Sequence, residues 1–315
     1  MVDITLFECC LILTGPTASG KSAVALQLAK TFQTEIISMD SMTIYRGMDI
    51  GTAKPSEQEQ KEIPHHLIDV LDPWEKSSVA WWLTQARSIA EKILARGKCP
   101  IIVGGTPLYL KAIRYGLFEG PEIDPAIRAD LETRTNVELH QQLSEVDQAA
   151  AQRIHLNDHK RLVRALEVYL STGQTITHWQ QQFDQQPKPR SVPVFCIEVD
   201  RQELYRRIEA RIDSMMQSGW LDEVQRLLSL PQPLSREASQ AAGYRELIEH
   251  LQGKCNLDEA VVAIKTRTRQ LAKRQLTWFR HFPGLQHLTA EQAKHQLPGY
   301  ISSMTPSIEL AGSPL

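Results

Sequence analysis

Gly15, Gly20, Lys21 and Ser22, within "CLILTGPTASGKSAVALQLAK", stand in the spacing G-x-x-x-x-G-K-[ST]. A loop of this kind holds phosphates. Backbone N–H groups and a helix N-terminus surround the oxygens, the lysine adds a point charge and the serine hydroxyl can ligate Mg²⁺. The mechanism needs a strand before the loop and a helix after it. "CCLILT" is a short apolar run, and "SAVALQLAKTF" has the apolar period of a helix that begins at the loop. Two more residues sit where chemistry can occur: Asp40 ends the run "EIISMD" and Thr106 ends "PIIVGGT". In open α/β sheets ligands bind outside the carboxyl ends of the strands. An aspartate after a strand also suits a helix cap, which is the reading given to Asp200 before "RQELYRRIEARIDSMM".

The elements that must position these residues are short apolar runs separated by helical patterns. Residues 35–40, 66–71 ("HLIDVL"), 100–106 and 192–200 ("VPVFCIEVD") read as buried strands. The expected fold is α/β, a P-loop-type parallel sheet core with helices on both faces. Over 122–190 the character changes to polar, Gln-rich helical patterns without a convincing strand. The expected organisation is therefore a core over 1–121, an all-helical insertion domain over 122–190, the core resumed over 191–300 after "PKPR", and a loose tail over 301–315. In "NDHKRLVRALEVYLSTG", Asn157 or Asp158 can cap a helix and Gly173 can end it. Leu162, Val163, Leu166, Tyr169 and Leu170 make its apolar face, with Lys160 and Arg164 opposite, able to meet either phosphates or solvent.

Lys and Arg number 35 against 37 Asp and Glu, a formal net charge of −2. No global basic field exists, so a nucleic-acid partner must be held by local patches. The strongest such patch is "VVAIKTRTRQLAKRQLTWFRH", Val261 to His281, rich in Lys and Arg and without an acid. On a helix, Arg267, Leu271, Arg274 and Trp278 share one stripe, expected to be partly buried, while Arg269, Lys273 and Arg280 share a nearly opposite one. Buried arginines need anionic partners, either protein carboxylates or a phosphate-bearing ligand, for which Arg274 is the candidate. The opposite stripe can grip a nucleic-acid backbone or form salt bridges within the chain. Cys9, Cys10, Cys99, Cys196 and Cys255 show no C-x-x-C spacing, which fits a reducing cytoplasm better than a disulfide framework. No run approaches the roughly 18 apolar residues of a membrane span, and the apolar N-terminal run leads into the phosphate loop rather than a cleavage site, so no membrane partner is expected. His65 and His66 have no other ligand types close by and read as structural.

The segments "GPTASGKS", "DSMTIYRGMDIGTAKP", "PHHLID", "VGGTPLYL", "QAAGYREL" and "TRQLAKRQLTWFR" together resemble the ordered motif set of the tRNA dimethylallyltransferases, from about Cys10 to Phe282. The resemblance implies that Gly15, Pro16, Thr17, Ala18, Ser19, Gly20, Lys21 and Ser22 hold the diphosphate of dimethylallyl diphosphate, with Mg²⁺ near Ser22. The transferred group is then carbon, delivered to N6 of the adenosine 3′ of the anticodon. Asp40 is implied as the base that takes the N6 proton, and Thr106 as the hydroxyl that reaches the bridging oxygen of the leaving group. The implied partner is the tRNA anticodon stem-loop. By similarity it meets Asp40, Ser41, Met42 and Thr43, then Arg128, then Lys160, Arg161, Leu162, Val163 and Arg164, and the stretch from Gln240 through Gly243, Tyr244 and Arg245. Arg269 and Lys273 join this set from the helix geometry. Two positions depart from the family pattern: Pro107 stands where glycine is usual, and Thr43 where glutamine is frequent. An isopentenyltransferase for free adenine nucleotides, a small-molecule P-loop kinase and a nucleotide-binding module without chemistry are the alternatives; the insertion and the basic helix favour the larger substrate. The expected location is the cytoplasm; the sequence leaves the oligomeric state open, with a monomer favoured.

Overall fold

The structure is a computed structural model and describes residues 5–117, 124–184 and 192–311. Strands β1 (Leu11–Thr14), β2 (Ile36–Ser38), β3 (His65–His66), β4 (Ile101–Gly104), β5 (Val194–Glu198) and β6 (Leu285–Thr289) form one sheet in the order β3-β2-β4-β1-β5-β6. Every pairing is parallel, with Leu11 beside Ile101, Ile36 also beside Ile101, and Ile12 beside Val194. The central strands are apolar on both faces and fully buried, as parallel strands under two helical layers must be. Leu11, Leu13, Ile101, Val103, Phe195 and Ile197 meet Val24 and Leu28 of the helix Lys21–Phe32 and Leu297 and Ile301 of the helix Ala290–Ala311. Alternation sends Ile12, Ile37 and Ile102 to the other face, where all three are buried. The helix Val79–Leu94 packs on β2, and its Trp82 donates from Nε1 to the Ser38 carbonyl at 3.0 Å.

A second core joins Ile44, Tyr45 and Met48 to the helices Arg201–Gln217, Trp220–Leu228, Tyr244–Leu251 and Leu257–His281. Asp200 caps the first of these, accepting from the amides of Gln202 and Glu203 at 2.8 and 3.1 Å. These elements belong to one compact unit, residues 2–114 with 190–315. Residues 115–189 form a separate compact unit of the helices Pro125–Thr133, Asn136–Val146, Gln148–Arg153, His159–Thr172 and Ile176–Asp184 around Leu131, Leu139, Leu143, Leu162 and Leu166. In this unit Asp158 caps His159–Thr172 and Gly173, at φ +70°, ends it. Leu170, expected on the apolar face, is exposed.

Three expectations need correction. The strand over 66–71 is not formed: β3 stops at His66 because Leu67 and Asp69 adopt positive φ of 60° and 54°, which no ladder accommodates. Residues 301–311 of the expected loose tail over 301–315 are not loose. They continue the Ala290–Ala311 helix, with Ile301 buried, while residues 312–315 lie outside the described residues, as do 122–123 and the "PKPR" boundary. In the stripe of the basic helix expected to be partly buried, Arg267, Leu271 and Trp278 are half-buried but Arg274 is exposed. The fully buried face runs through Ala260, Ile264, Thr268, Ala272, Gln275 and Phe279.

Candidate active site

β1 ends at Thr14, whose hydroxyl donates to the Gly104 carbonyl at 2.9 Å and so ties the start of the phosphate loop to the end of β4. A Cβ on Gly15, at φ +149°, would lie 2.9 Å from both the Ile197 carbonyl and Ser19 Oγ, so only glycine fits there. Gly20 leads into Lys21–Phe32 without any side-chain cap, which leaves the first amides of that helix to an anion. Ser19 is buried with a hydroxyl that has no partner among the described residues, and Ser22 is exposed in the first helical turn. Lys21 Nζ donates to the Pro16 carbonyl at 3.2 Å. Burial lowers its pKa to about 8, with Arg211 pushing the same way and Asp40 opposing.

Asp40 and Thr106 follow β2 and β4, and the close approach of those strand ends is a glycine effect. A Cβ on Gly104 would strike the Met39 carbonyl at 2.0 Å. The Asp40 carboxylate is oriented by the Met42 amide, which donates to Oδ1 at 2.8 Å. Thr106 donates its amide to the Met39 carbonyl at 3.4 Å, and its carbonyl accepts from the Tyr109 and Leu110 amides. Pro107 is the first residue of the helix Pro107–Tyr115, where a missing N–H costs nothing.

Two residues not singled out from the sequence complete the site. Arg211, from Arg201–Gln217, donates to the Thr17 hydroxyl at 2.5 Å, while its Nε has no partner among the described residues. Burial lowers the Arg211 pKa and the Asp40 charge offsets part of that. Gln275 is buried between the loops: its Oε1 accepts from the Thr17 amide at 2.9 Å and its Nε2 donates to the Gly105 carbonyl at 2.7 Å. Thr17, Asp40, Arg211 and Thr268 line a cavity of about 140 Å³ together with the apolar side chains of Ile212, Met215, Trp220, Ala241 and Leu271. An anion can be held beside a carboxylate base, with an apolar group between them.

The residues expected at tRNA divide into exposed and engaged. Ser41 and Met42 are partly buried, and Thr43 is buried with its hydroxyl 2.9 Å from that of Ser38. Tyr244 is buried and donates to Glu223 Oε1 at 2.6 Å. The same carboxylate accepts from the amides of Asp49, Ile50 and Gly51, which pins that turn. Gly243, at φ +91°, has no room for a Cβ beside Trp220. Arg245 is exposed and pairs with Glu249 at 2.9 Å. On the long helix, Arg267 pairs with Glu246 at 2.7 Å and reaches the Gln240 carbonyl at 3.0 Å, and Arg269 pairs with Glu209. Lys273, Arg274 and Arg280 are exposed. Arg274 lines an open groove of about 830 Å³ with Arg245, Arg267 and Gln270, whereas the neighbouring Gln275 makes the phosphate-loop contact. In the helical unit, Arg128 and Arg164 both engage the fully buried Glu167, Arg128 through two bonds of 2.6 and 2.5 Å. Leu162 and Val163 are core residues, and Lys160 and Arg161 are exposed.

His66 bonds Glu35 at 2.8 Å and Arg96 takes the other oxygen of that carboxylate at 2.6 Å. Among the described residues no group of three or more His, Cys, Asp or Glu can hold a metal ion, and no helix is long and apolar enough to cross a membrane.

A phosphate loop, a carboxylate and a largely apolar cavity at the carboxyl edge of a parallel sheet define an α/β transferase of the P-loop type. The IPP transferase profile matches residues 43–282 and the isopentenyl transferase profile residues 9–69; the chain belongs to the IPP transferase family. It is 44% identical over 280 residues to tRNA dimethylallyltransferase 1 of Trichlorobacter lovleyi, covering 88% of this chain and 92% of that one. To tRNA dimethylallyltransferase of Geobacter metallireducens it is 46% identical over 274 residues, covering 86% and 89%. Among solved structures it resembles a tRNA isopentenylpyrophosphate transferase of Bacillus halodurans, with TM-score 0.69, 34% identity and coverage of 96% and 98%. A eukaryotic dimethylallyltransferase acting on tRNA gives TM-score 0.76 at 27% identity, covering 97% of this chain and 80% of that one.

Proposed function

We propose that this chain transfers a dimethylallyl group from dimethylallyl diphosphate to tRNA, at N6 of the adenosine 3′ of the anticodon, with release of diphosphate. The observation that carries the reading is the meeting of Thr17, Asp40 and Arg211 around one small, largely apolar cavity. An adenine amine is a poor nucleophile because its lone pair is conjugated into the ring. Asp40 takes its proton as the C–N bond forms, help that is typically worth ~10²–10⁴-fold. As the allylic C–O bond breaks, charge develops on the diphosphate, and the loop amides, Lys21, Arg211 and the Thr106 hydroxyl stabilise it. A Mg²⁺ ion, when bound, neutralises part of that charge. The residues suit an ion that arrives with its ligand: the Ser22 hydroxyl is exposed beside the loop and no carboxylate cluster among the described residues competes for it. The base must leave its stack to reach the cavity, which costs about a few kcal/mol.

The proposed tRNA contacts are the exposed cations Lys160 and Arg161 of the helical unit and, in the other unit, Arg245, Lys273 and Arg274, together with the backbone around Ser41, Met42 and Gly243. A cytoplasmic location accords with the five free cysteines. Incubating the protein with labelled dimethylallyl diphosphate and, separately, tRNA, AMP and ATP, then identifying the labelled nucleoside by mass spectrometry, tests the reading. Label on a free nucleotide but not on tRNA would overturn it.

A further inference from the structure

We infer that Trp220, backed by Met215, closes the far end of the cavity and limits the transferred chain to five carbons. The inference rests on the prenyl-transfer reading above and adds to it a residue that selects the donor. Arg211 bonds Thr17 of the phosphate loop, Met215 lies one turn further along Arg201–Gln217 and Trp220 just past its end, and all four line the cavity, so a hydrocarbon chain leaving the diphosphate runs along this helix towards Met215 and Trp220. The whole cavity is about 140 Å³. A buried apolar cavity of roughly 150 Å³ accepts benzene, six carbons. A five-carbon chain therefore fills the cavity, and a ten-carbon chain overfills it.

Trp220 is a wall that cannot yield. It is 2% exposed. A Cβ on Gly51 would sit 2.1 Å from its Nε1, and a Cβ on Gly243 would sit 2.0 Å from the far edge of its six-membered ring, so two backbones already lie in contact with the indole. Tyr244 meets it edge-on, with centroids 5.7 Å apart, and Tyr244 is itself held by Glu223. The indole N–H has no acceptor among the described residues. A buried tryptophan normally finds one; here the ring contributes bulk, and its polar edge is unused by the described residues.

The chemical step is the same for either donor. The bond from C1 to the diphosphate oxygen breaks, the bond from N6 to C1 forms, and the N6 proton passes to Asp40. Only room beyond the first five carbons distinguishes dimethylallyl from geranyl diphosphate, and packed cores resist added methylenes.

The test measures single-turnover transfer of both groups to tRNA by the full chain, with the prenylated nucleoside read by mass spectrometry. The wild type is expected to favour dimethylallyl over geranyl by on the order of a hundredfold. Trp220→Ala and Trp220→Leu should narrow that ratio at least about tenfold, and Trp220→Phe and Met215→Ala by less, since each removes only part of the wall. Circular dichroism and thermal melts identify the folded variants, and the donor ratios of those variants are compared; the Phe and Leu variants keep an apolar filler at the site. Geranyl transfer by the wild type at the dimethylallyl rate, or an unchanged ratio in every folded variant, overturns the inference while leaving prenyl transfer standing. Transfer of neither group by the wild type overturns the prenyl-transfer reading, and this inference falls with it.

Discussion

Gln275 and Thr17 are joined by a hydrogen bond of 2.9 Å from the Thr17 amide to the Gln275 side chain, which fastens the long basic helix to the phosphate loop. The side-chain amide of the same glutamine donates to the Gly105 carbonyl at 2.7 Å, one residue before Thr106. A single buried glutamine therefore sets the spacing between the loop proposed to hold the diphosphate and the hydroxyl proposed to meet its bridging oxygen. Lys273 and Arg274, the residues just before it in the chain, face outward.

Replacing Gln275 by leucine keeps the volume and strips both bonds. Leaving a buried backbone donor and acceptor unmatched costs about 1–3 kcal/mol, so the variant should unfold at lower urea and show a raised KM for dimethylallyl diphosphate. A variant with wild-type KM and wild-type stability would reduce Gln275 to a filler.

For Asp40 the informative change is to asparagine. An asparagine Oδ1 still accepts from the Met42 amide, so the turn that presents the side chain survives while the base is lost. Single-turnover prenylation should fall by ~10²–10⁴-fold with tRNA affinity nearly constant. Near wild-type turnover would remove Asp40 from the proton transfer.

The phosphate loop was legible because its chemistry depends on local spacing, and strands β1, β2, β4 and β5 were legible because a parallel sheet buried on both faces writes uninterrupted apolar runs. "HLIDVL" shows how that signal misleads. Leu67 is buried, but it gets there through a left-handed turn, and Asp69 in the same turn is held by Lys54 Nζ at 2.5 Å. β6 escaped because only Leu288 of its five residues is buried. The last helix escaped because Pro298 and Gly299 read as breakers, yet Leu297 and Ile301 on either side of them pack into the sheet. Arg211, Gln275 and Trp220 lie on helices distant in sequence, and no spacing ties them to the loop. Only the strand order β4-β1-β5 brings their helices to the carboxyl edge.

With Lys21 as a proposed diphosphate ligand, binding of the donor should depend on pH. The Lys21 pKa in the free protein is lowered to about 8 from 10.5 by burial, so the ammonium is present below pH 8 and lost above it. An anion favours the charged form, so binding raises the pKa and takes up a proton. The apparent Kd for dimethylallyl diphosphate should stay flat up to about pH 8 and then weaken towards tenfold per pH unit. Stability of the free protein moves the opposite way. Between about pH 8 and 10.5 the unfolded chain carries the extra proton, so the Lys21 contribution to stability rises with pH over that window. Calorimetry in buffers of different ionisation heat would detect the proton uptake; none near about pH 8.5 would mean that Lys21 stays charged in the free site.

The cations on the basic helix separate by their partners. Arg269 pairs with Glu209 and Arg267 with Glu246, so each already has a protein carboxylate, whereas Lys273 is exposed and its backbone carbonyl accepts from the Thr277 hydroxyl. A cation that neutralises a phosphate releases counterions. Lys273→Gln should therefore flatten the slope of log tRNA affinity against log salt by roughly 0.7 to 0.9, with turnover on saturating tRNA preserved. Arg269→Gln leaves Glu209 without its partner at a half-exposed site, an effect of about 1 kcal/mol or less on stability, and the salt slope should hardly move. Affinities measured at several salt concentrations, on variants shown to be folded by circular dichroism, distinguish the two. Equal slope changes would mean that Arg269 exchanges Glu209 for a phosphate when tRNA binds, and the division of this helix into a tRNA-facing and a protein-facing set would have to be abandoned.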